Sequence, residues 1–92
     1  MIDGDVNNFI DILHYGEDLC IIFDDKKYFF QGWDKNGLHY FVVTQEKPYV
    51  EGYFYEIVNA DRNECVRKFL DAPLWNGKKF FEVEKSMKWI PS

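Results

Sequence analysis

The chain is poor in the residues that most recognisable chemistry needs. It has two histidines and two cysteines in 92 residues. Neither His14 nor His39 falls in a Cys/His metal-ligand motif. Cys20 and Cys65 form no CxxC pair and are too few for a disulfide framework, so buried free thiols in a reducing compartment are expected. A Cys-His nucleophile pair needs an exposed thiol of lowered pKa, and Cys20 sits inside an apolar run. No apolar stretch approaches the roughly 20 residues that span a bilayer. The start, Met1-Ile2-Asp3-Gly4-Asp5, lacks the basic and apolar regions of a signal peptide. A soluble, cytoplasmic protein is expected, with no membrane partner, metal, cofactor or catalytic residue.

Positive charge is also scarce where it would matter. The formal charge is −5, and residues 1–46 carry nine acidic side chains against three basic ones. Phosphate-backbone binding needs clustered Lys and Arg, so nucleic acid is not an expected partner. The acidic balance leaves a basic protein partner or DNA mimicry, beside plain solubility.

Aromatic residues, by contrast, are abundant at 20% of the chain, which lets a short sequence bury a core without staples. Each aromatic side chain buries roughly 150–250 Å². Residues 1–92 read as a single domain. Val6, Phe9, Ile10 and Leu13 fall at helical spacing, predicting a helix over 5–15 with Asp3 or Asp5 at its start and Gly16 at its stop. Leu19–Phe23 reads as a strand. Asp24-Asp25 turns it into a second strand over 27–33, and Asn36-Gly37 turns that into a third over 38–44. Leu38, Tyr40 and Val42 share one face of the third strand, His39, Phe41 and Val43 the other, and neither face is plainly polar.

Pro48 breaks the pattern, and 52–58 reads as a fourth strand. Asp61 with Glu64 suggests a capping box for a helix over 62–71, closed by Pro73. Residues 78–89 fit both periods: Phe80, Val83, Met87 and Ile90 are helical, whereas Phe81, Val83, Lys85, Met87 and Trp89 alternate. The many Lys and Glu residues favour helix. The expected fold is α+β: a three- to four-stranded antiparallel sheet with an N-terminal helix and two C-terminal helices packed mainly on one face.

The run Phe69-Leu70-Asp71-Ala72-Pro73-Leu74-Trp75-Asn76-Gly77-Lys78-Lys79-Phe80-Phe81-Glu82-Val83-Glu84, with Phe9–Leu13, Ile21–Tyr28, Cys65–Leu70 and Gly77–Trp89, resembles a group of short, uncharacterised bacterial proteins. They begin with an amphipathic helix, continue with an apolar strand, a turn and a Lys-aromatic strand, and end in a Gly-Lys turn and a Glu-rich helix. The resemblance implies the helical end and no activity, so no site residue carries over.

Function is read from what is left. Asp24-Asp25 is turn chemistry, and Gly77-Lys78-Lys79 lacks the upstream Gly and the Ser/Thr of a phosphate loop. Tyrosine gives amphipathic contact area at low entropy cost. Tyr40, Tyr49, Tyr53 and Tyr55 are therefore candidate partner-binding residues of a small, acidic, non-enzymatic protein-interaction module, of an immunity- or antitoxin-like kind. The alternative is a small-ligand domain or weak enzyme with a pocket between sheet and helices, lined by Trp33, His39 and Trp75. A homodimer through an exposed sheet edge or face is the third reading.

Overall fold

Two tight turns set the architecture. A computed structural model describes residues 1–91. In it Asp24 and Asp25 have φ of 53° and 60°, and Asn36 and Gly37 have 54° and 78°. Two successive positive-φ residues match the twist of the flanking strands and fold them into hairpins. The chain therefore runs up, down and up through β1 (Leu19–Phe23), β2 (Lys26–Lys35) and β3 (Leu38–Lys47). The register is Leu19 opposite Phe30 in the first hairpin and Trp33 opposite Tyr40 in the second, with one irregularity at Lys27/Tyr28.

Three helices and two further strands complete the fold. Helix α1 (Val6–Tyr15) starts at Asp5, whose carboxylate accepts from the amides of Asn7 and Asn8 at 2.8 and 3.2 Å. It stops at Gly16, left-handed at φ 76°, as glycine permits without a Cβ penalty. Strand β4 (Tyr55–Asn59) pairs with β3, and α2 (Arg62–Asp71) follows it. The single turn α3 (Phe80–Val83) and a 3₁₀ turn (Glu84–Ser86) lead into β5 (Lys88–Ile90). The sheet is five-stranded and antiparallel, in the order β4-β3-β2-β1-β5.

The period of two in the strands directs alternate side chains to one face. Leu19, Ile21, Phe30, Phe41 and Val43 turn inward and join Phe9 and Leu13 of α1 and Val66 and Phe69 of α2 in one core. Phe69 is its hub, with ring centroids 5.1 Å from Phe41, 5.6 Å from Phe30 and 6.0 Å from Phe80. Such pairs contribute about 0.5–1.5 kcal/mol each beyond their area. Helices α1 and α2 thus cover one face of the sheet.

The end of the chain departs from the expected helix over 78–89. Only Phe80–Val83 is α-helical, and Lys88–Ile90 is a fifth strand, paired as Cys20–Ile90 and Ile22–Lys88. Without it the buried strand β1 would present a bare edge, and satisfying those backbone groups outweighs the helix propensity of Lys and Glu. Met87 is buried and Trp89 turns inward, 5.3 Å from the ring of Phe9. The fourth strand begins at Tyr55 rather than residue 52, because Gly52 at φ 86° bends the chain away from extended geometry. The capping box at Asp61 is not made: Asp61 caps the helix by accepting from Asn63 N at 2.9 Å, while Glu64 turns to Arg67 and the Asp61 amide donates to Asn59 Oδ1.

Candidate interaction surface

The sheet has a second face, and the helices leave it open. The register lays its side chains out in cross-strand rows. One row is Ile90, Cys20, Phe29 and Thr44. The next is Gln31, Val42 and Glu56, and the one after is Trp33, Tyr40 and Val58. An antiparallel sheet with a solvated face ordinarily alternates apolar-in with polar-out. This one is mostly apolar on both sides. Ile22, Trp33, Leu38 and Val58 are 37%, 39%, 38% and 38% exposed, whereas Val42 and Cys20 are sealed between neighbours at 0% and 3%. The rings of Trp33 and Tyr40 are stacked side by side, 5.6 Å apart and 2° from parallel. Cross-strand aromatic pairs of this kind stabilise the strand pairing itself.

The four tyrosines singled out in the sequence occupy three environments. Tyr40 stands on the open face. Tyr55 pairs with Val43 and points the other way, its ring 5.8 Å from Phe69, and burial pushes its hydroxyl pKa up. Tyr49 and Tyr53 lie on the β3–β4 connection and are 70% and 54% exposed.

Trp33, His39 and Trp75 are also kept apart. Trp33 is on the open face, and Trp75 is inside the core, with rings of Tyr28, Phe54 and Phe23 at 5.1, 5.3 and 5.6 Å. His39 is buried on the helix side. Its Nδ1–H donates to Asp34 Oδ1 at 2.8 Å, and Arg62 Nη2 donates to Asp34 Oδ2 at 2.8 Å. The hydrogen bond from His39, and then Arg62, holds the Asp34 carboxyl below the usual carboxylate range. Arg62 Nη1 also reaches the last carbonyls of α1, His14 O and Tyr15 O, at 3.4 and 3.5 Å. The far edge of the imidazole packs on Gly32 and Gly16, where added Cβ atoms would lie 3.1 and 3.6 Å from it. Its Nε2 has no hydrogen-bond partner among the described residues. The histidine acts as a structural pin between β2, β3, α1 and α2.

A groove of about 570 Å³ lies between α2 and α3, on the solvent side of the helices, not between helices and sheet. Leu70 and Phe81 line it, and three of its four charged side chains are ion-paired, Lys79 with Asp71 at 2.9 Å and Arg67 with Glu64 at 2.7 Å, while Glu82 accepts from the Lys79 amide. Cys20 and Cys65 are buried free thiols whose pKa burial raises, which suppresses the thiolate. Among the described residues no group of three or more His, Cys, Asp or Glu is placed to hold a metal ion. No helix among them is long and apolar enough to cross a membrane.

The open face was partly foreshadowed by the lack of a polar side in Leu38–Val43. Nothing local marks Ile22, Phe29 and Val58, each of which joins it only through the register. Compared with known proteins, the chain matches no family model, no curated protein and no solved structure.

Proposed function

We propose that this protein is a small, non-enzymatic protein-interaction module that docks its partner on the open face of the sheet. The observation that supports it is the row of Trp33, Tyr40 and Val58 with Ile22 and Leu38, apolar and partly exposed on a face where polar residues are the rule. Aromatic residues backed by a rigid sheet bind at low entropy cost. The exposed Tyr49 and Tyr53 extend the reading to the neighbouring connection. The biological role proposed with it is immunity- or antitoxin-like, in a bacterial cytoplasm, and rests on small size, acidity and the sequence resemblance.

The test is affinity purification of tagged wild type beside Trp33→Glu, Leu38→Glu and Phe81→Glu. The expected result is a bound protein kept by wild type and Phe81→Glu and lost with both face variants. The same bound proteins in all four samples would place the docking surface elsewhere.

A second reading, a small ligand in the α2–α3 groove, is favoured by the half-buried Leu70 beside the 59% exposed Phe81. A thermal-shift screen in which no metabolite raises the melting temperature would remove it.

A further inference from the structure

We infer that the partner of the open sheet face is a second copy of this chain, the two sheets stacking face to face about a two-fold axis. The inference rests on the interaction reading above and names its occupant. Charge is the first argument. The chain carries −5, yet the open face is close to balanced. Lys27 on it pairs with Glu46 at 3.5 Å, and Lys88 is met by Asp3 at 3.6 Å. That leaves Lys35, Lys47 (opposite Lys27) and Glu56 without an ion-pair partner among the described residues, two positive charges and one negative. A basic partner would find a single free carboxylate here, and an acidic one only two free amines, at opposite ends of the face. A two-fold copy presents both signs at once, while the acidic surplus of each chain stays on surfaces turned away from the contact. Like charges brought together at an interface cost several kcal/mol, so this balance selects against strongly charged partners.

Area is the second argument. Five side chains each from β2 and β3 and two each from β1, β4 and β5 lie on this face; with strands about 4.8 Å apart and same-face residues ~6.7 Å apart along them, it covers roughly 500 Å². Two such faces bury about 1,000 Å², the lower bound of specific interfaces. An isologous contact uses the same patch twice, so each exposed apolar residue is covered in both copies. Packed sheets sit about 10 Å apart, which the standing rings of Trp33 and Tyr40 and the side chains of Ile22, Phe29, Leu38 and Val58 fill. An interface below about 1,200 Å² belongs to the weak, transient class, so the dimer is reversible and its midpoint is sought in the micromolar range. The assembly would have four layers, with helices outside and two sheets within.

Sedimentation velocity from about 1 µM to about 500 µM tests this, bracketing a micromolar midpoint. The expected result is a monomer–dimer equilibrium in the wild type. Trp33→Glu weakens it at least about tenfold, as removal of a central aromatic anchor does. Leu38→Glu is the second variant: it lies beside the Asn36–Gly37 turn, outside the Trp33–Tyr40 stack, so its effect does not depend on how well the tryptophan variant folds. Phe81→Glu, equally apolar and on the helix side, leaves the equilibrium unchanged. A wild type that is monomeric throughout overturns the inference, as does a dimer that both face variants leave intact. The interaction reading fails separately, when purification shows the face variants retaining every bound protein.

Discussion

Substituting Gly32 tests whether His39 is held as a structural pin. An alanine Cβ at position 32 would lie 3.1 Å from both Cε1 and Nε2 of His39 and 3.4 Å from Gly16 Cα. Carbon contacts are best near 3.5–4.0 Å, so the ring must retreat by a few tenths of an ångström. It cannot retreat freely, because Nδ1 is tied to Asp34 at 2.8 Å and Asp34 to Arg62 at 2.8 Å. Overpacking of this kind costs about 1–3 kcal/mol. For a chain of this size that lowers the melting temperature by roughly 4–8 °C per kcal/mol. The backbone at Gly32 needs no positive φ, so the cost is steric alone. In a His39→Ala background the obstacle is gone. Gly32→Ala should then be neutral or stabilise by about 0.4–1 kcal/mol, through lower entropy of the unfolded chain. Urea unfolding of the four proteins gives the coupling directly, provided the m-values agree. An equal effect of Gly32→Ala in both backgrounds would refute the pin.

Acid should loosen the same network. The folded pKa of Asp34 lies below its usual 3.8, so its stabilising contribution is full above that value and is lost as pH falls through the folded one. Asp34→Asn should flatten the acid limb of stability against pH, measured by urea midpoints; an unchanged acid limb would remove Asp34 from the account. Phe69→Ala, at the hub of the aromatic core, should cost about 3–5 kcal/mol, a large share of a small domain's stability, read by chemical denaturation. Cys20 and Cys65, buried with raised pKa, should react with a disulfide reagent no faster than the protein opens; fast stoichiometric labelling of the native protein would contradict their burial. Of the three tryptophans, Trp33 should be the most accessible to acrylamide quenching, and Trp33→Phe should remove most of the quenchable emission.

Local chemistry carried much of this fold in the sequence. Asp24-Asp25 and Asn36-Gly37 announced both hairpins because Asp, Asn and Gly tolerate positive φ, and Asp5 and Gly16 bracketed α1 for equally local reasons. The fifth strand was not legible. Met87 and Trp89 alternate inward, but they become a strand only because β1, at the other end of the chain, needs a neighbour. The α+β class was therefore readable, and the strand count was not. The candidate site follows the same division. The apolar faces of Leu38–Val43 showed that β3 is either covered on both sides or carries exposed aromatics on one. Which residues line the uncovered side depends on cross-strand register, such as Trp33 opposite Tyr40 and Tyr40 opposite Val58, and register is a long-range property. The opposite orientations of Tyr40 and Tyr55 have the same origin: β4 pairs so that Tyr55 meets Val43.

The late arrival of β5 bears on how the protein is made. Synthesis proceeds from the N-terminus, and β1, β2 and β3 are joined by turns short enough to zip up as soon as they emerge. Residues 88–90 follow nearly the whole domain. Until they arrive, Cys20, Ile21 and Ile22 form an apolar sheet edge with free backbone groups, the geometry that recruits strands from other chains. The nascent protein therefore passes through a stage with a sticky margin that the finished one lacks.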